Sequence, residues 1–160
     1  MILLMAVYGF RVGEVVRLSL DDIKWEQKEL LVCRSKSGAR QKYPLVGSIA
    51  EAIWRYLSIR PDCPTPGLFV TMKAPIKRVS RYIIYNGVAN RLLDLGVSLN
   101  HRGPHSLRHA CAARLVSQGL SLKEIGDHLG HRSTASTRIY AKVDMPNLRE
   151  VASFDLGGLA

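Results

Sequence analysis

Residues 2–8, Ile-Leu-Leu-Met-Ala-Val-Tyr, form an unbroken apolar run that continues toward Gly9. Glu14, Val15, Val16 and Leu18 then resume a helical pattern. The pattern predicts one helix, a glycine-permitted break near Gly9-Phe10, and a second short helix, with Arg11 at the junction. Polar and apolar positions next alternate over 23–26 and 29–35, where Ile23, Trp25, Leu31 and Val32 favour strands. Ser37-Gly38 signals a turn, and Gln41 to Leu45 reads as the return strand, leaving Lys36 near a hairpin tip.

Helical periodicity returns over roughly 49–59, with Ser48 as the expected cap and Pro61 as the stop. Three prolines and a glycine make 61–67 a loop. A basic helix is expected at about 76–95, carrying Lys77, Arg78, Arg81 and Arg91. Gly103-Pro104 opens another helix, to about residue 118, and Gly119 closes it. Ser121-Leu122-Lys123-Glu124 is a capping box for a short helix to Leu129, ended by Gly130. Thr134 or Ser136 could start one more turn leading to Tyr140. The architecture expected is α+β, mainly helical, with a small antiparallel sheet. Repeats, low-complexity tracts and a second domain are not apparent in the 160 residues.

The opening apolar run lacks the basic flank and cleavage site of a signal peptide. It is also far short of the roughly 20 residues that span a bilayer. A buried core helix is the better reading, and the sequence starts as if in the middle of an element. Three scattered cysteines, Cys33, Cys63 and Cys111, argue against a disulfide framework and fit a reducing cytoplasm. Charge changes the picture more. Lys and Arg number 23 against 13 Asp and Glu, a net +10. Such an excess favours a polyanionic partner, nucleic acid first and an acidic membrane surface second.

Metal-independent cleavage of a phosphodiester needs a nucleophile, cationic donors for the non-bridging oxygens and an acid for the departing oxygen. In Gly103-Pro104-His105-Ser106-Leu107-Arg108-His109, His105 and Arg108 share a face at a helix start whose free N–H groups favour an anion. The guanidinium fork of Arg108 suits phosphate oxygens. Alone, this pair could be a surface arginine beside a structural histidine. Arg11, Lys36 and Tyr140 likewise have plain readings as a helix-surface charge, a solvated tip and a packing residue. All five histidines lie between His101 and His131, and His105 and His109 have ligand spacing. Yet no Glu stands between that pair as in the metalloprotease motif, and the nearby arginines oppose a cation. No metal is expected.

Taken in order, the set resembles the tyrosine recombinase (phage integrase) family. Its signatures here are Gly9-Phe10-Arg11-Val12-Gly13-Glu14-Val15, a hairpin lysine at Lys36, His105-Ser106-Leu107-Arg108-His109, Leu129-Gly130-His131-Arg132-Ser133, and Tyr140. The likeness runs from about residue 2 to 145. It implies the family's catalytic-domain fold over 1–160, without the helical DNA-clamping domain that precedes it in the family. It implies site-specific recombination of double-stranded DNA through a 3′-phosphotyrosyl bond to Tyr140, with no ATP, metal or other cofactor. Arg11 and Arg108 would clamp the scissile phosphate, Lys36 would protonate the leaving 5′ oxygen, His105 would assist proton transfer and His131 would donate to the phosphate. Glu14 would buttress the site, or form a helix-surface salt bridge. Lys77, Arg78, Arg81 and Arg91 are expected to hold DNA. A non-catalytic DNA-binding remnant of the same fold, or a type IB topoisomerase-like enzyme, are the alternatives. The apolar stripe Leu148, Val151 and Phe154 is expected to dock in cis in a monomer and in trans in a tetramer on DNA.

Overall fold

A computed structural model describes residues 1–34, 38–96 and 103–130. Lys36, His131, Tyr140, the turn expected from Thr134 or Ser136 and the apolar stripe of 147–154 lie outside the described residues. The chain divides into two compact units, one of Met1–Arg11 with the chain from Ile84 onward, the other of Val12–Ile83.

The first unit is helical. Helix α1 (Ile2–Tyr8) uses straight-chain Leu and Met with Ala, which lose little rotamer freedom in a helix. It ends at Gly9, whose φ of 66° is left-handed. A Cβ there would also meet Leu129 Cδ2 at 2.5 Å and Cys111 Sγ at 3.3 Å, so shape and space both call for glycine. Helix α5 (Pro104–Ser117) begins with Pro104 in its first turn, where the missing N–H costs nothing. Buried small residues, Ala110, Cys111, Ala112 and Ala113, let α5 approach α1 closely. Helix α6 (Leu122–Leu129) is held at its start by Ser121, which accepts from the Glu124 N–H while its own N–H donates to Glu124 at 2.8 Å. Gly130, φ 65°, ends it. Ile125 and Leu129 of α6 pack with Cys111 and Ala112 of α5 in one dry cluster.

The second unit holds α2 (Val12–Arg17) and a three-stranded antiparallel sheet of β1 (Ile23–Lys24), β2 (Glu29–Cys33) and β3 (Arg40–Pro44), ordered β1-β2-β3. Leu30 pairs with Tyr43 and Cys33 with Arg40. Leu30, Val32 and Tyr43 are buried, as the period of two along a strand requires. Helix α3 spans Gly47–Ile59. Its N-cap is Val46, which makes no side-chain cap, so Ser48 lies inside the helix instead of capping it. Loop 61–67 is organised by Arg60, whose guanidinium donates to the carbonyls of Pro61, Thr65, Gly67 and Leu68.

The basic helix is shorter than expected. Helix α4 runs Arg81–Asp94, and Lys77 and Arg78 precede it. Residues 70–79 form a tight extended turn in which Val70 bridges Arg78 and the Thr71 N–H donates to Lys77 O at 2.8 Å. Buried Val70 and Val79 favour that extended backbone. Ser80 then accepts from the Ile83 N–H at 3.3 Å and starts α4 as a side-chain cap. No helix among the described residues is long and apolar enough to cross a membrane.

Candidate functional site

Two arginines far apart in sequence meet at the end of α6. Arg108, in the second turn of α5, is buried, and its Nη2 donates to Leu129 O at 2.8 Å. Its Nη1 donates to the Gly9 carbonyl, which the left-handed turn after α1 directs inward. Arg11, two residues beyond that turn, donates through Nη1 to the same Leu129 O at 3.5 Å and through Nη2 to Gly130 O at 3.4 Å. The last carbonyls of a helix carry partial negative charge, and here they lie between two like-charged guanidiniums. Carbonyl dipoles lessen the repulsion without cancelling either charge. The resulting group is a cationic pair seated on one helix end.

His105 stands one turn before Arg108 on α5 and is exposed. Its ring lies 6.5 Å from that of Tyr85 on α4, tilted by 58°. His109, the residue after Arg108, has its pKa pushed below the ordinary 6.5 by burial first, then by the charges of His105 and Arg108. Cys111, one turn beyond Arg108, is buried and donates to Val7 O at 3.2 Å; burial raises its pKa, which favours the neutral thiol. Arg114 completes this face by donating to Ala6 O at 3.3 Å and Val7 O at 2.9 Å, the end of α1.

In the second unit, Glu14 is not on a helix surface. It is buried and paired with Arg34 at 3.1 Å. Sequence reading passed over Arg34, because nothing in its neighbourhood marks an arginine beyond a strand end as buried. The one available signal was the surplus of buried charge left by an acidic residue within an apolar helix turn. Lys77 and Arg81 are exposed and Arg91 is half-buried. Arg78 is used differently: its Nη1 donates to the carbonyls of Val16, Arg17 and Leu18 at 3.0, 2.6 and 3.3 Å, the end of α2. The structure therefore brings Arg11 and Arg108 together and sets His105 beside Arg108. Lys36, His131 and Tyr140 fall outside the described residues, although His131 directly follows Gly130 in sequence.

The phage integrase family profile matches residues 1–146. A putative integrase/recombinase of Sinorhizobium fredii, y4gC, is 41% identical over 157 residues, taking in 97% of this chain and 80% of that protein. A second from the same organism, y4rA, is 40% identical over 154 residues, 95% of this chain but 37% of that protein. Among solved structures, XerA recombinase superposes with a TM-score of 0.78 at 27% identity, covering 92% of this chain and 54% of that one. A XerH site-specific recombinase, solved bound to palindromic difH substrate, superposes at 0.76 with 24% identity over 96% of this chain and 44% of that one, a likeness of fold. The chain thus spans four-fifths of one relative's length and only about a third to a half of the others'.

Proposed function

Since the chain belongs to the phage integrase family of tyrosine recombinases, we propose that it cuts and rejoins double-stranded DNA at specific sites through a covalent bond to Tyr140. The fold, mainly helical with a small antiparallel sheet, is the family's catalytic-domain fold. The observation that carries the reading is the convergence of Arg11 and Arg108 on Leu129 O, which makes one cationic group from two signature motifs. Two guanidiniums there suit the scissile phosphate, whose charge grows as its phosphorus becomes five-coordinate.

In the proposed step the Tyr140 oxygen bonds to phosphorus and the bond to the 5′ oxygen breaks. His105 takes the phenolic proton, and Lys36 delivers a proton to the 5′ oxygen. His131 donates a hydrogen bond to the phosphate. The reverse step uses a second 5′ hydroxyl to displace Tyr140, so the bond energy is conserved without metal or nucleotide. Exposed Lys77 and Arg81, with half-buried Arg91, would hold the backbone outside the site, and protomers would pair as a tetramer on DNA. Residues 1–160 would form a single catalytic domain, of which the family match spans 1–146.

The test is a trapping assay on a nicked suicide duplex. Wild type is expected to form a protein–DNA adduct mapping to Tyr140, and Tyr140→Phe to bind the duplex without forming it. A chain that binds but never forms the adduct is a DNA-binding remnant of the same fold. An adduct that survives in Tyr140→Phe means another nucleophile.

A further inference from the structure

Arg34 is buried with 3% of its side chain exposed, and the Glu14 side chain it meets is 0% exposed. Its guanidinium reaches in two directions. Nη1 meets Glu14 of α2 at 3.1 Å, and Nε donates to Gln41 Oε1 on β3 at 2.7 Å. The guanidinium carbon also lies 5.1 Å from the centre of the Tyr43 ring, a cation–π distance. The Arg34 backbone closes the hairpin as well: its N–H donates to Ala39 O at 2.8 Å, and its carbonyl accepts from the Gly38 N–H at 2.9 Å. Gly38 takes a φ of 69° to make that closure. Arg34 therefore ties together both strands of the β2–β3 neck and fastens the neck to α2.

A buried ion pair is a poor device for stability alone, because the cost of stripping water from two charges offsets most of their attraction. An apolar pair would fill the same space. What the charged pair adds is direction: the guanidinium fork fits its partners in one orientation. The neck so fixed leads, two residues past Arg34, to Lys36. We propose that Arg34 is a positioning residue, oriented by Glu14 and Gln41, which fixes the hairpin neck so that the Lys36 ammonium can protonate the leaving 5′ oxygen. This rests on the assignment of Lys36 as the leaving-group acid. The step itself is unchanged: one proton passes from Lys36 to the 5′ oxygen as the phosphorus–oxygen bond breaks.

The discriminating probe is a suicide duplex whose scissile 5′ bridging oxygen is replaced by sulfur, a leaving group that needs no acid. Single-turnover adduct formation is measured on the oxygen and sulfur duplexes for wild type, Lys36→Ala, Arg34→Lys and the double variant Glu14→Gln/Arg34→Met. Arg34→Lys keeps a charge beside Glu14 but loses the fork, and the double variant removes both charges together. An acid in place contributes about 10²–10⁴-fold, so a displaced one should cost about 10–100-fold on the oxygen duplex. Both Arg34 variants are expected to show that loss and to return to near the wild-type rate on the sulfur duplex, as Lys36→Ala does. Should the double variant not fold, Arg34→Lys decides by the same comparison. Rescue of Lys36→Ala without rescue of the Arg34 variants overturns the positioning role and leaves the acid in place. So does an oxygen-duplex rate equal to that of wild type. Failure of sulfur to rescue Lys36→Ala overturns the acid assignment, and the role of Arg34 with it.

Discussion

Arg108 has a structural duty beside its proposed chemical one. Its side chain is buried and satisfies the carbonyls of Gly9 and Leu129. A lysine lacks the planar fork that reaches both, and a buried acceptor left without its donor costs about 1–3 kcal/mol. Arg108→Lys is therefore expected to lower the melting temperature and also to slow adduct formation by about 10²–10³-fold, as loss of a transition-state donor does. The two effects separate if rates are compared well below both melting temperatures. Wild-type stability would remove the structural duty, and a wild-type rate the chemical one. His109, the next residue, titrates in the opposite sense to a histidine that gains an acidic partner. Its folded pKa lies below 6.5 through burial and the neighbouring positive charges. Protons thus bind the unfolded chain more readily. The stability tied to its neutral ring is whole above pH 6.5 and declines as the pH falls below it. Melting temperature should drop as the pH falls below 6.5, and His109→Gln should flatten that slope. An unchanged slope would assign the acid sensitivity to other groups.

Among the elements, α6 carries the most consequence for its length. It has eight residues, too few to stand alone, and is secured by the Ser121–Glu124 box and by Gly130. Ser121→Ala is expected to cost about 1 kcal/mol and to speed amide exchange along α6. Because its last carbonyls seat Arg11 and Arg108, adduct formation should fall too, while Ser121→Asp should retain both. Exchange rates in Ser121→Ala identical to wild type would show the cap to be idle. This helix was legible in the sequence because its start and stop are written within a few residues. The same holds for the break at Gly9 and for Pro104 at the head of α5. Signals that depend on distant partners were not legible. Lys77 and Arg78 looked helical until Val70 paired with Arg78, and Ser48 looked like a cap until the helix began at Gly47, two residues ahead of the expected start. Of the site, the motifs named Arg11 and Arg108, but only folding shows that they share a carbonyl. Arg34 had no local mark at all.

Across the whole molecule, the net charge of +10 overstates what is available to a polyanion. Arg60, Arg78 and Arg114 are committed to backbone carbonyls, which hold the guanidiniums without neutralising them. Exposed Lys42 and Arg55 sit in ion pairs with Glu29 and Glu51. Lys77 and Arg81 are exposed on either side of Arg78 in sequence, so three neighbouring positions should behave differently. Each phosphate contact removed should flatten the plot of log affinity against log salt by about 0.9. Lys77→Gln and Arg81→Gln are expected to flatten it by about that much each, with little change in melting temperature. Arg78→Gln is expected to leave the slope alone and lower the melting temperature, since the carbonyls of Val16, Arg17 and Leu18 lose their shared donor. Titrating a fluorescent duplex across salt concentrations for the three variants, alongside thermal melts, reads both quantities. If Arg78→Gln flattens the slope and melts like wild type, its guanidinium leaves α2 to meet a phosphate. If none of the three changes the slope, DNA approaches by another face, and the excess charge there must come from elsewhere in the chain.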